Sequence, residues 1–275
     1  MSSLEIVKQA NVRGAAVGAF NVILLEHAEA IISGAETASL PVILQISQNA
    51  VKYHGALTPI SLATLSCASV ASIQTSVHLD HAEDTELIRQ ALDLGYDSIM
   101  YDGSKLDFAE NVKTSQEMTA LAHSYGATIE VELGEIGGKD GVHAPGIRTK
   151  PSDAKSFVDE TGVDLLAVAV GSSHAMTSRD AKLDFDLIAE IHGTVSVPLV
   201  LHGSSGVSDL DLQSAVRAGM RKINIATHLN HVFSDSVRAI LAADPNLVDP
   251  RKYIGAGRKE ISHEIARLLK ILNLE

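Results

Sequence analysis

Cysteine and tryptophan are nearly missing from this chain. One Cys in 275 residues, Cys67, and no Trp exclude an intrachain disulfide framework, so a reducing, cytoplasmic setting is the expectation. Basic charge is scarce as well. Lys and Arg total 22 against 34 Asp and Glu, a formal charge of −12, and aromatics make up 4%; with no basic block, this argues against a nucleic-acid-binding surface. No apolar run approaches the roughly 18 residues that a membrane-spanning helix needs. The opening MSSLEIVKQANVRG lacks the basic and apolar regions of a secretory signal. Low-complexity segments, linkers and short repeats are also missing. An anionic ligand would therefore have its charge met locally, by a metal, by backbone N–H groups or by a few Lys and Arg.

What is present is apolar material in a regular order. Hydrophobic residues make up 45% of the chain, enough for a sizeable core. Short apolar, β-branched runs alternate with longer stretches of helical period. Strands are expected at Ala15–Phe20, Pro41–Ile46, Ser76–Leu79, Ser98–Tyr101, Thr128–Glu132, Leu165–Val170, Pro198–Leu201 and Lys222–Ile225. Helices are expected at Glu26–Ala38, Pro59–Ser72, Asp84–Leu94, Phe108–Tyr125, Ser152–Thr161, Phe185–His192, Asp209–Ala218, His231–Ala242 and Arg258–Leu272. Gly95, Gly126, Gly162 and Gly219 stand where left-handed helix ends belong. Strands that are apolar throughout, each followed by a helix, describe a parallel sheet covered on both faces. The count fits an α/β chain folded as one (β/α)₈ TIM barrel, a single domain over residues 1–275. An open doubly wound sheet is the alternative, but no GxGxxG follows the first strand.

A barrel concentrates chemistry at the C-terminal ends of its strands, and those ends are polar here. They are Asn21, Ser47, Asp80-His81, Asp102-Gly103-Ser104, Glu132, Gly171 to His174, His202 to Ser205 and Asn224 to Thr227. Three of the twelve histidines, His81, His174 and His202, end strands over one mouth, and three imidazoles with an open fourth position suit a catalytic zinc. Asp80 could orient a ligand, act as acid and base on a substrate hydroxyl, or cap the following helix. Asp102 reads as a structural residue bonded to backbone or to a nearby Ser, and His78 as a packed core histidine. The helical His27, His123, His192, His231 and His263 read as solvated, while His54, His143 and His228 stay open. Lys222 sits at the start of its strand, away from the mouth, which disfavours an imine mechanism. The Gly-rich loop after strand seven and the end of strand eight occupy the usual phosphate position of this fold. The long loop 134–150, with Glu135, Lys139, Asp140, His143 and Arg148, reads as a mobile active-site lid.

The runs HLDHAED, MYDGS, IEVELGEIGGKDG, VAVGSSHAM, PLVLHGSSG and RKINIAT, in that order along the chain, resemble the class II, zinc-dependent ketose-bisphosphate aldolases. GAFNV, QISQNAVKYHG and DPRKYIGAGR extend the likeness to nearly the whole chain. The resemblance implies reversible cleavage of a fructose- or tagatose-type ketose 1,6-bisphosphate to dihydroxyacetone phosphate and an aldehyde, through a zinc-stabilised enediolate. It implies His81, His174 and His202 as zinc ligands, with Glu132 able to approach the metal. Asp80 becomes the acid/base at the C4 hydroxyl, and Asn224 the contact to the enediolate. Ser173, Gly203, Ser205 and Thr227 would form the phosphate pocket, beside a monovalent cation, Na⁺ or K⁺, with Ala226 among the substrate-binding positions. Asn21 and Ser47 would line the substrate site, and Arg258 would grip the distal phosphate, in the family often from a neighbouring subunit of a homodimer or homotetramer.

Three departures from the family pattern stand out. The loop's GG is followed by Lys139-Asp140 where a proton-exchanging Glu is usual, so Asp140 or Glu135 takes that role. Ala175 replaces a frequent Gly after His174, and His228 replaces a frequent acid after Thr227. Asp140, Ala226 and His228 are placed to sense the acceptor aldehyde. The same chemistry on a sulfofructose 1-phosphate or an inositol-derived ketose phosphate is the alternative substrate reading. A metal hydrolase on the same barrel is a more distant one.

Overall fold

The computed structural model describes residues 2–134, 136 and 147–275. Among these, eight strands form one closed parallel barrel in chain order. They are β1 (Val17–Asn21), β2 (Val42–Ser47), β3 (Thr75–Ala82), β4 (Ser98–Tyr101), β5 (Thr128–Leu133), β6 (Leu165–Val168), β7 (Leu199–Leu201) and β8 (Met220–Ile225). β8 pairs back onto β1, with Val17 opposite Lys222, which closes the ring. The (β/α)₈ expectation therefore holds and the open sheet is excluded.

The helices are α1 (Ser3–Val12), α2 (Leu25–Ala38), α3 (Gln48–His54), α4 (Thr58–Ser69), α5 (Thr85–Asp93) and α6 (Phe108–Ser124). They continue with α7 (Pro151–Thr161), α8 (Phe185–Thr194), α9 (Asp209–Ala218), α10 (Thr227–Ala243) and α11 (Pro250–Leu272). Sequence patterning overlooks α1 and α3 and starts α10 and α11 too late. α1 is held by the barrel: buried Ile6, Val7 and Ala10 pack against Val17, Ala19, Ile43, Leu165, Ala167 and Val200, forming a floor that a local polar-looking segment does not announce. α3 is short and set by its ends, where Ser47 Oγ accepts from Ala50 N and Gly55 turns left-handed at φ 75°.

Alternation of side chains along each strand sorts the two cores. Phe20, Leu44, Leu79, Ile129 and Val131 point outward under the helices. The opposite parity fills the interior, apolar near the α1 floor and polar toward the far end, with Gln45, His78, Asp80, Glu130, Glu132, Lys222 and Asn224 all buried. The barrel thus carries its polar residues toward the face where the strands end.

Candidate active site

His81, Glu132, His174 and His202 converge at that face, their ligand atoms all within 4.8 Å of one another. Each histidine is aimed by an unusual backbone step. Parity places Asp80 inside the barrel and would turn His81 out. A break in the β3–β4 register between Leu79 and Ala82, with His81 at φ 48°, swings its ring back to the mouth. Ala175, after His174, is also left-handed at φ 57°, and Gly203, after His202, at φ 66°. The family's frequent Gly at the Ala175 position is the residue that takes that backbone at least cost. Gly203 has no alternative: a Cβ there would lie 2.6 Å from the backbone of Ser173.

His81 Nε2 and His202 Nδ1 face each other at 2.7 Å, and their outer nitrogens are both fixed by carboxylates. His81 Nδ1 donates to Asp102 Oδ2 at 2.8 Å, and His202 Nε2 donates to Glu130 Oε1 at 2.8 Å. Asp102 does bond Ser104, accepting from its N and Oγ, but the purely structural reading is corrected, because the same carboxylate orients His81. Lys222 is corrected too. It lies in the buried interior, its Nζ donating to Glu130 Oε2 at 2.7 Å, and being bonded there it is no free amine for an imine. His78 is the packed core histidine expected, between Ser98 Oγ at 2.8 Å and Lys222 Nζ.

Asp80 does not cap a helix; that role falls to Asp84, whose Oδ1 accepts from Glu86 N and Leu87 N. Instead it faces the histidines, accepting from Asn21 Nδ2 at 3.1 Å and Asn224 Nδ2 at 3.3 Å. Burial pushes its carboxyl up, but the neighbouring His81 and His202 rings and the Lys222 ammonium outweigh it and hold Asp80 below the usual carboxylate range. Gln45, missed by sequence reading, donates to Asn21 Oδ1 at 2.7 Å and so fixes the amide that bonds Asp80. Its place two residues before Ser47 on the interior parity was the available signal.

These groups line a cavity of about 340 Å³ that also takes in Ser47, Gly203, Ser205, Ala226 and Thr227. Ser205 Oγ accepts from Ala226 N and His228 N at 3.3 and 3.1 Å, tying the β7 loop to the first turn of α10. Ser173 contributes backbone against Gly203. Gln48, Asn49 and Lys52 of the unforeseen α3 join the wall, with Glu83 and Lys105.

The other residues named from the sequence lie in several places. Arg258 is absent from the cavity wall and pairs with Glu29 at 2.5 Å. His228 bonds Glu264 at 2.6 Å and is not part of the cavity wall, whereas Ala226 lines it. His27 is buried rather than solvated: its Nδ1 accepts from Ile23 N and Leu24 N, and burial lowers its pKa to about 4. His54 Nε2 donates to Ile23 O at 2.7 Å. Glu135, Lys139, Asp140 and His143 lie outside the described residues.

Comparison with known proteins adds an independent observation. The family model described as fructose-bisphosphate aldolase class-II matches residues 1–275. A fructose-bisphosphate aldolase of Geobacillus stearothermophilus is 37% identical over 265 residues, covering 95% of this chain and 92% of its own. A probable fructose-bisphosphate aldolase of Bacillus subtilis is 36% identical over 269 residues, covering 96% and 94%. Among solved structures, the YdjI aldolase from Escherichia coli K12 superposes with a TM-score of 0.85 at 31% identity, covering 98% of this chain and 96% of that one.

Proposed function

The chain belongs to the class II fructose-bisphosphate aldolase family, and we propose that the His81–Glu132–His174–His202 cluster is where it performs that family's metal-dependent aldol cleavage. It is an aldehyde-lyase, cutting a fructose- or tagatose-type ketose bisphosphate to dihydroxyacetone phosphate and an aldehyde. The observation that carries the assignment is the donor set itself. Three imidazoles and one carboxylate within 4.8 Å, with no thiolate among them, match the borderline character of Zn²⁺ and leave room for a substrate oxygen. A zinc ion bound there supplies Lewis acidity to the substrate carbonyl and to the enediolate formed on cleavage.

The remaining work falls to side chains. Asp80, ionised and held by two amides, takes the proton of the C4 hydroxyl as the C3–C4 bond breaks and returns it in the aldol direction. Asn224 lies beside Asp80 and His202, where its amide contacts the enediolate oxygens. Its Oδ1 is buried with no hydrogen-bond partner among the described residues. Gly203, Ser205, Ser173 and Thr227 receive the phosphate of the donor half at the start of α10, where backbone N–H groups and the helix dipole favour an anion. A monovalent cation, Na⁺ or K⁺, accompanies that phosphate. Proton exchange on the donor carbon is assigned to Asp140 or Glu135 of the 134–150 lid. Arg258, off its own cavity, serves the distal phosphate of a neighbouring copy, which makes the working protein a homodimer or homotetramer. No described helix is long and apolar enough to cross a membrane, in keeping with the proposed cytoplasmic setting.

The test leaves the acceptor out. Dihydroxyacetone phosphate is incubated with the protein in heavy water and loss of its C3 proton signal is followed by NMR, with and without chelator. Chelator-sensitive exchange is expected. No exchange by zinc-loaded protein, together with no cleavage of ketose bisphosphates, would sink the assignment.

A further inference from the structure

We propose that Lys52 selects the aldehyde half of the substrate, by pairing with an oxyanion at the end of that aldehyde far from the bond that breaks. The proposal rests on the aldolase reading above and sharpens it. Lys52 lines the same cavity as Asp80, His81 and Asn224. It rides on α3, which is fastened at three points. Ser47 Oγ accepts from Ala50 N at 3.2 Å. Gln48 Oε1 accepts from Glu83 N and Asp84 N at 3.0 and 3.1 Å. At the other end His54 donates to Ile23 O. A seven-residue helix with both ends pinned sets the backbone of Lys52 at a defined place on the rim.

The charges of the cavity wall single this residue out. Lys105, the other lysine there, bonds Glu83 at 3.0 Å. Asp80 and Asp102 are engaged with Asn21, Asn224, Ser104 and His81. Among the described residues the Lys52 side chain makes no ion pair or hydrogen bond, although it stands in a protein of net charge −12. Arg258 offers no charge to this cavity within the chain. The phosphate loops belong to β7 and β8, whereas Lys52 follows β2, with Asn21 of β1 between them. A substrate with an anion at each end can therefore reach both regions while its reactive carbons lie over Asp80. A lysine on a four-carbon stem is a point charge without the fixed fork of Arg, so it accepts phosphate, sulfonate or carboxylate alike. The substrate class that follows is a ketose 1-phosphate whose other end carries a compact oxyanion.

The experiment condenses dihydroxyacetone phosphate, on the zinc-loaded full chain, with glyceraldehyde and with three acid aldehydes: glyceraldehyde 3-phosphate, sulfolactaldehyde and malonic semialdehyde. The wild type is expected to favour at least one acid aldehyde over glyceraldehyde by roughly tenfold or more in kcat/KM. Lys52→Met should erase that preference through KM, and Lys52→Arg should keep most of it. A preference unchanged in Lys52→Met, or none in the wild type, overturns the proposal. Solvent exchange of dihydroxyacetone phosphate by the wild type separates the two levels. With exchange present, either of those results overturns the role of Lys52 alone; with exchange and cleavage both absent, the aldolase reading falls and the proposal with it.

Discussion

Glu130 shows how one buried side chain can set the state of a site it does not enter. It is fully buried, with His202 on one oxygen and Lys222 on the other. Burial pushes its carboxyl up, but the Lys222 ammonium and the hydrogen bond from His202 hold it well below the usual carboxylate range. His78 stays neutral, because burial lowers its pKa to about 3. An ionised Glu130 keeps the proton on His202 Nε2 and turns the lone pair of Nδ1 toward the cluster. Glu130→Gln should therefore loosen zinc by roughly 10- to 100-fold in a competitive chelator titration; an unaltered affinity would mean that Glu130 does not position His202. Asp80 belongs to the reacting groups themselves. Asp80→Asn, nearly isosteric, is expected to keep zinc but lose about 10²- to 10⁴-fold in kcat for cleavage. A kcat within a few-fold of wild type would remove Asp80 from the proton step.

At the scale of elements, the rim beside the phosphate loop is laced by side chains from four segments. Arg179 donates to Val207 O and pairs with Asp209 at the start of α9. Arg267 of α11 pairs with both Asp209 and Glu264, and Glu264 in turn meets His228 in the first turn of α10. This lacing ties His228, and with it the first turn of α10, to α11. Burial pushes the Glu264 carboxyl up, but its bonds to Arg267 and His228 outweigh that and lower it from 4.5 to about 2. A carboxylate depressed in the folded state contributes stability that is present above its unfolded pKa and lost as pH falls through its folded one. Glu264 should thus add stability at neutral pH, no more than about 3 kcal/mol before solvent screening, declining below pH 4.5 toward pH 2. Denaturant unfolding of Glu264→Gln against wild type should show a gap at pH 7 that narrows by pH 3. A gap of constant size would place the stabilisation elsewhere.

For the whole molecule, the cluster joins β3, β5 and the segments after β6 and β7 across the barrel mouth, so occupancy couples to global stability. A ligand that binds only the native state stabilises it by RT ln(1 + [L]/Kd), about 2.7 kcal/mol at a hundredfold excess over Kd. For a chain of this size that is about 5–10 °C in melting temperature. Stripping the protein with chelator should lower the calorimetric melting temperature by that order, and added zinc should restore it. A melting curve indifferent to chelator would mean that the cluster is not a metal site in the native protein.

Local sequence was enough for whatever depends on neighbours along the chain. Apolar runs and helical periods marked all eight strands, and Gly95, Gly126, Gly162 and Gly219 do take positive φ at helix ends. Polar strand endings marked the mouth, and chain order fixed which histidines share it. Tertiary structure decided what depends on partners distant in sequence. His81 faces inward only because β3 breaks register against β4. Asp102, Gln45 and Glu130 bond groups on other strands, and α1 is seated by a floor built from four strands. Those relations come from closure of the barrel, which brings strands far apart in the chain to one axis, so no local pattern of the sequence encodes them.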